Sequence, residues 1–406
     1  MKILVIAPRV ALDESSFKDW TGLDLVMKDL SEGYAAAGHR VCTVTPHVYR
    51  LSEGRCVPDW CFQRKRWLAR IPFSEMRLLP GVVRAHGPKA CLRRARADLF
   101  VRWIDEAIDA FAPDIAHIHS STHWAHAAAL RCIERGIPFV ATLHGINATN
   151  PACGDDVIEN ERAFLATAAA SASAITAVSG GTARLMAEIE PALAGRVEVV
   201  ANGSTLEACP ESAPETRKRY GISDNARIMT CIGSVGERKN QAMVIEAFAR
   251  LCKETRAACR LMIVGRDVSG GRVEEVAHRL GVSDEVIFTG NVSSQEVARI
   301  LSAATLNVVA SKSEGFGLSV IEAMRAGVPS LVYEGIDAFV DFEGLRSVRS
   351  FATLSPQCLS EAMSACLAES SDASAIRREG QRYSLTAIID AYLAVLERAR
   401  TGVENG

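Results

Sequence analysis

Glu314 and Glu322 stand with seven residues between them in the stretch SKSEGFGLSVIEAMRAGVPSL, Ser311 to Leu331. Gly315 and Gly317 lie just after the first glutamate. A carboxylate accepts hydrogen bonds from paired hydroxyls, such as those of a sugar or a ribose. A glycine-rich turn that opens a helix presents unpaired backbone N–H groups, which favour a phosphate. Glu314 can therefore face one part of a ligand while Glu322, about two turns further on, faces another. An acidic helix cap and one solvated glutamate account for the same residues, so the pair alone leaves both readings open.

Other residues carry chemistry at similar places. Arg238 and Lys239 in IGSVGERKN put two cations after a strand-like run, though a solvated helix start has the same pattern. His144 stands beside Gly145 in ATLHGINAT, at a strand end, where an imidazole can hydrogen-bond a transferred group or a reacting oxygen. PDIAHIHSSTHWAH holds His117, His119, His123 and His126 within ten positions, which raises the question of zinc. His117 and His119 share a strand face while His123 and His126 begin the next helix, so no metal site is expected. His119 or Ser120 is placed as a contact to a second substrate. No D-x-D lies in a strand-end loop of the second half, so a metal-bridged diphosphate is not indicated. No G-x-G-x-x-G follows a strand, which argues against a nicotinamide dehydrogenase.

The elements that must position these residues alternate along the chain. KILVIA, RVCTVTP, IAHIH, PFVATLHG, AITAVS and VEVVANG read as strands separated by helical stretches. A polar, turn-rich segment, GSTLEACPESAPETRKRYGISDNAR, reads as a linker and the start of a second domain. The alternation restarts with IMTCIGS, a single helix NQAMVIEAFARLCKET, then RLMIVG, EVIFTG, LNVVAS and PSLVY with helices between. The expectation is an α/β protein of two Rossmann-like, doubly wound parallel-sheet domains. In such sheets ligands lie at the carboxyl ends of the strands, and most of the unusual residues fall there. The domain bounds expected are 1–204, joined by a C-terminal helix at about 386–402, and 205–385.

The string E-G-F-G-L, I-E-A-M, A-G-V-P resembles the E-x7-E signature of retaining nucleotide-sugar glycosyltransferases of group 1, which have the GT-B fold of two Rossmann-like domains facing a cleft. The resemblance implies a donor site in which Glu314 contacts sugar hydroxyls, the backbone of Gly315, Phe316, Gly317 and Leu318 meets the sugar and diphosphate, and Glu322 binds the ribose. It implies that Lys239 holds the diphosphate. The family's arginine position is Ser234 here, a departure that Arg238 is expected to make good. Thr289, Gly290, Asn291 and Val292 resemble the loop that reads the base through backbone atoms, and Asn202 the N-G step before the linker. His144 corresponds to the histidine at the donor–acceptor junction. The family's double-glycine loop after strand one is represented only by Gly22, with Thr21 where a second glycine is common. Asp13, Lys18 and Asp19 in that long loop are possible acceptor contacts or a plain surface loop. The implied reaction is transfer of a hexosyl group from a nucleotide diphosphate sugar, UDP favoured, to an acceptor hydroxyl on a glycan, lipid-linked or small-molecule acceptor. The acceptor attacks from the face the diphosphate leaves, and a phosphate oxygen takes its proton. Catalytic roles fall to His144, Lys239 and Glu314, with no cofactor and no metal. The alternatives are a sugar phosphorylase or epimerase on the same fold, or a non-catalytic nucleotide-sugar binding protein.

Composition narrows the rest. The chain has 406 residues, a net charge of −2 and 12 cysteines without C-x-x-C spacing, which suits a cytoplasmic protein with free thiols. The N-terminal apolar run ends at Pro8 and is too short for a signal peptide. Residues 55–103 hold 12 Arg/Lys against 3 Asp/Glu, with Trp60, Trp67 and Trp103 interleaved. That window suits an anionic membrane surface or a phosphate-bearing acceptor, and equally a solvated basic face. It would make the protein peripheral to the inner face of a membrane. No nucleic-acid motif accompanies it, so nucleic acid is not an expected partner.

Overall fold

Seven short strands in the first half pair into one sheet, and six in the second half pair into another. The computed structural model describes residues 1–10, 22–46, 49–51, 101–148 and 153–402. Most of the basic window, and Asp13, Lys18, Asp19 and Thr21, lie outside the described residues. The chain divides into two compact units, Met1–Ala201 with Ile388–Gly406, and Asn202–Ala387.

The first unit contains β1 (Lys2–Ile6), β2 (Arg40–Val44), β3 (Tyr49–Leu51), β4 (Ile115–His119), β5 (Phe139–Leu143), β6 (Ala174–Ala177) and β7 (Val197–Val199). Their order is β3-β2-β1-β4-β5-β6-β7. All neighbours run parallel except β3, which is antiparallel to β2. Strands covered on both faces carry near-continuous apolar side chains, and Ile3–Ile6, Phe139–Ala141 and Leu143 are buried accordingly. The second unit contains β8 (Arg227–Ile232), β9 (Cys259–Val264), β10 (Val286–Gly290), β11 (Leu306–Val309), β12 (Ser330–Tyr333) and β13 (Val348–Phe351). Their order is β10-β9-β8-β11-β12-β13, all parallel.

Each sheet reverses its strand order once, between β1 and β4 in the first unit and between β8 and β11 in the second. At such a switch point the two adjacent connections leave in opposite directions and open a crevice at the carboxyl ends of the strands. The loops beside the second switch point are 233–240 and 310–317, which carry Lys239 and Glu314.

The C-terminal helix Leu385–Thr401 buries Ile388, Ile389, Tyr392, Val395 and Leu396, and from Ile388 onward belongs to the first unit. Tyr392 donates its hydroxyl to the Val200 carbonyl at 3.2 Å. Ile389 packs over Gly33, where an added Cβ would lie 2.4 Å from Ile389 Cδ1. Two expectations are corrected. The helix expected over NQAMVIEAFARLCKET is two, Gln241–Ala249 and Lys253–Ala257, because Arg256 donates to the Ala249 carbonyl at 2.9 Å and the chain extends at Cys252 (φ −56°, ψ 150°). Trp103, one of the aromatics in the window read as a membrane- or phosphate-facing surface or a solvated basic face, is buried in the first unit's core with Ile104 and Ala107.

Candidate functional site

Lys239, Arg238 and Glu314 meet at the second switch point. Lys239 Nζ donates to Glu314 Oε1 at 2.5 Å. Ser311 Oγ donates to the same oxygen at 2.6 Å, and Arg238 Nη1 reaches Oε2 at 3.3 Å and the Ser313 carbonyl at 3.1 Å. The Lys239 and Glu314 side chains are 12% and 8% exposed, against 57% for Arg238, so the first pair is the enclosed one. Burial alone would raise the Glu314 carboxyl. The charges of Lys239 and Arg238 and the bonds from Lys239 and Ser311 outweigh it and hold the group below its ordinary value. The two loops are also tied through backbone, Lys312 N–H to the Arg238 carbonyl at 2.8 Å.

Glycines make this approach possible. Gly233 has φ +135°, and a Cβ there would lie 2.7 Å from Lys239 Cε, so only glycine leaves room for the lysine stem. Gly317 has φ +101° and is the N-cap of the helix Leu318–Ala326, with no side-chain cap bond. A Cβ on it would strike Phe339 Cε1 at 2.6 Å. Leu318 and Ser319 thus offer first-turn N–H groups beside Glu314, the arrangement that favours an anion. The Phe316 side chain turns away into an aromatic cluster with Phe342 and Tyr383, ring centroids 5.8 and 6.1 Å away. Glu322 lies half-buried within the helix.

The β10 end is linked to the same place through backbone. Gly290 (φ +67°) accepts from Gly265 N–H at 3.0 Å, and Gly265 lies against Gly233, whose carbonyl oxygen would be 2.2 Å from a Cβ at position 265. Thr289 donates its hydroxyl to the Gly290 carbonyl at 2.9 Å. Asn291 is exposed, and Val292 is half-buried against a core cluster that includes Ile222 and Ile300.

The first unit gathers His119, Ser120 and His144 at the ends of β4 and β5. His119 Nδ1 and His144 Nε2 are 3.0 Å apart. Burial, then the neighbouring rings of His117 and His144, keep His119 well below the usual histidine range. His119 Nε2 is buried without a hydrogen-bond partner among the described residues. Ser120 adopts φ +76°, a left-handed conformation that a non-glycine residue holds only under constraint. His117 is structural: its ring bonds Tyr34 Oη at 3.1 Å and Thr142 Oγ1 at 2.7 Å, and burial depresses it to about 3. His126 instead bonds Thr167 Oγ1 at 3.1 Å. Among the described residues no group of three or more His, Cys, Asp or Glu could hold a metal. Gly22 begins the helix Gly22–Ala36 in this unit and is exposed.

Two buried polar residues beside these loops carry no signal in the sequence. Gln241 is fully buried, accepts from Gly236 N–H at 2.9 Å and donates toward the Ser234 carbonyl at 3.2 Å, which fixes the loop before Lys239. Glu161 is fully buried beside the His144 loop. A glutamine opening an apolar helix and a glutamate inside one have no sequence signal that separates them from surface residues.

Comparison with known proteins gives concordant results for both halves. The family described as Glycosyltransferase Family 4 matches residues 20–207, and that described as Glycosyl transferases group 1 matches residues 212–381. D-inositol 3-phosphate glycosyltransferase of Gordonia bronchialis is 29% identical over 220 residues, 48% of this chain and 46% of that protein. N-acetyl-alpha-D-glucosaminyl L-malate synthase of Bacillus anthracis is 27% identical over 223 residues, 54% of this chain and 56% of that protein. The chain thus spans about half the length of the curated relatives it matches. Among solved structures, Anabaena HepE in complex with UDP superposes with a TM-score of 0.71 at 18% identity, covering 98% of this chain and 100% of that one. WaaG, a glycosyltransferase involved in lipopolysaccharide biosynthesis, gives a TM-score of 0.64 at 18% identity over the whole of both chains.

Proposed function

The chain belongs to the group 1 glycosyltransferases of the GT-B fold, and from that premise we propose that it transfers a hexosyl group, with retention, from a nucleotide diphosphate sugar to an acceptor hydroxyl. The observation that carries this reading is the Lys239–Glu314–Arg238 cluster beside the Gly317 helix start, at the second unit's switch point. In this reading the second unit holds the donor. The helix-start N–H groups and Lys239 take the diphosphate and offset the charge that grows on it as the glycosidic bond breaks. Arg238 supplies the second cation where Ser234 replaces the family arginine. Glu314 accepts from sugar hydroxyls, Glu322 from the ribose, and the backbone at Thr289–Val292 faces the base. His119, Ser120 and His144 of the first unit are assigned to the acceptor and the reacting oxygen. With two cations and a helix start available, the diphosphate needs no metal, and a phosphate oxygen takes the acceptor proton. UDP is the favoured nucleotide, since the fold neighbour HepE was solved with UDP.

Two features bear on location. Among the described residues no helix is long and apolar enough to cross a membrane. The basic window supports contact with an anionic surface or a phosphate-bearing acceptor through its charge alone. A calorimetric panel of UDP-, GDP- and ADP-sugars followed by product analysis tests the reading. One donor bound and turned over is the expected result. Activity confined to a sugar 1-phosphate would point to a phosphorylase, and donor binding with no turnover over a broad acceptor panel to a binding protein.

A further inference from the structure

Glu161 lies in the helix Asp155–Ser171 and is completely buried, yet it belongs to no strand-end motif. Four donors converge on its carboxylate. Oε1 accepts from Ser121 Oγ at 2.6 Å, from the backbone N–H of Asn147 at 3.1 Å and from Asn147 Nδ2 at 3.2 Å. Oε2 accepts from the backbone N–H of Ala148 at 2.6 Å. The adjacent Asn160 donates Nδ2 to the Ser121 carbonyl at 2.7 Å. Ser121 follows Ser120 at the end of β4, and Asn147 and Ala148 lie in the turn that leaves His144 at the end of β5.

One side chain therefore binds both loops that carry the acceptor-side residues, and the His119–His144 contact closes the same loop of interactions. Burying a carboxylate is costly unless donors surround it, so it stands where its bonds have a use. A hydrophobic residue would fill this space. It would leave the N–H groups of Asn147 and Ala148 without this acceptor, and those two groups set the course of the chain away from His144.

We propose that Glu161 is a positioning residue for glycosyl transfer: it locks the β4 and β5 loops so that His144 and Ser120 are held in register. This rests on the function proposed above. The displacement it prevents acts on the transfer step and leaves the donor-holding residues of the second unit untouched.

Glu161→Gln tests it, because the amide keeps the volume but turns an N–H toward groups that are themselves donors. Loss of register by about an ångström is enough to lower kcat roughly ten- to a hundredfold. The donor KM and the calorimetric Kd for UDP should stay within about twofold of wild type, and exchange of the Asn147 and Ala148 amides should quicken at least about tenfold. Ser121→Ala removes one of the four bonds and should lower kcat by about three- to tenfold in the same way, with S121A/E161Q no worse than E161Q alone because both act on one network. If E161Q fails to fold, S121A carries the test by the same split of kcat from UDP affinity. Wild-type kcat in E161Q, unchanged exchange at the two amides, or parallel losses of kcat and UDP affinity would overturn the proposal. If the wild-type protein transfers no sugar from any donor, the functional reading fails instead, and amide exchange still reports whether Glu161 anchors the loops.

Discussion

Replacing Glu314 by Gln should make the protein bind bare UDP more tightly while slowing transfer. Lys239 Nζ lies 2.5 Å from Glu314 Oε1, and both side chains are largely enclosed. If Lys239 holds the diphosphate as proposed, that ligand competes with the carboxylate for the same ammonium. A hydrogen bond between charged partners is worth about 1.5–3 kcal/mol net, so freeing Lys239 corresponds to roughly ten- to a hundredfold tighter UDP binding. Arg238, more than half exposed, adds little because solvent screens it. The same substitution leaves Lys239 without its carboxylate in the free protein. Breaking a buried pair costs about 3–5 kcal/mol, and with some exposure at Lys239 the lower end applies. Urea unfolding followed on the second unit should register that loss, and UDP should restore part of it. The gap between wild type and E314Q should depend on pH. Glu314 is held below its ordinary value of 4.5, so its contribution is full above pH 4.5 and fades as pH falls through the lower folded value. The assay is calorimetric titration with UDP on wild type, E314Q, K239A and the double variant. UDP bound by E314Q no more tightly than by wild type would refute the competition between carboxylate and phosphate.

Three further outcomes are expected. Lys239→Ala should lower kcat by roughly 10²–10³, and a kcat within about threefold of wild type would remove it from leaving-group stabilisation. Gly317→Ala should destabilise the second unit by about 1–3 kcal/mol in urea, since φ is +101° and the new Cβ meets Phe339 at 2.6 Å; a midpoint shift near zero would contradict that packing. The first unit should lose stability as pH falls from 6.5 toward 3. His117 is depressed to about 3 from 6.5 and His119 is also lowered, both by burial, so the unfolded chain takes up the protons first. The slope should approach about 1.4 kcal/mol per pH unit for each histidine, and a flat exchange-derived stability over that range would count against it.

Apolar periodicity and turn residues were enough to read the parallel sheets, because strands covered on both faces must be near-continuously apolar. The sequence marks Gly315 and Gly317 as a glycine-rich turn opening a helix, but the positive φ at Gly317 and its close approach to Phe339 are visible only in the fold. The strand-end rule located the loops of Lys239, Glu314 and His144. What stayed hidden was the partnership between them. Nothing in a one-dimensional string says that Lys239 and Glu314, 75 residues apart, share one hydrogen bond. Read separately, they point to different parts of a ligand. Glu161 and Gln241 were hidden more completely, since a polar residue in a helix is ordinarily solvated and only the fold turns these two inward. The break at Arg250–Cys252 has no turn residue to mark it, and the Arg256 side chain, seven residues on, takes the Ala249 carbonyl where the first helix ends.

The stereochemistry of transfer tests the proposed reaction most directly. Proton NMR of the product formed from the donor that binds in the nucleotide-sugar panel reads the anomeric configuration directly, because a glycoside does not mutarotate. The expected result is a glycoside with the donor's configuration and stoichiometric release of nucleotide diphosphate. An inverted product, or nucleotide release with no glycoside formed on any acceptor, would contradict it.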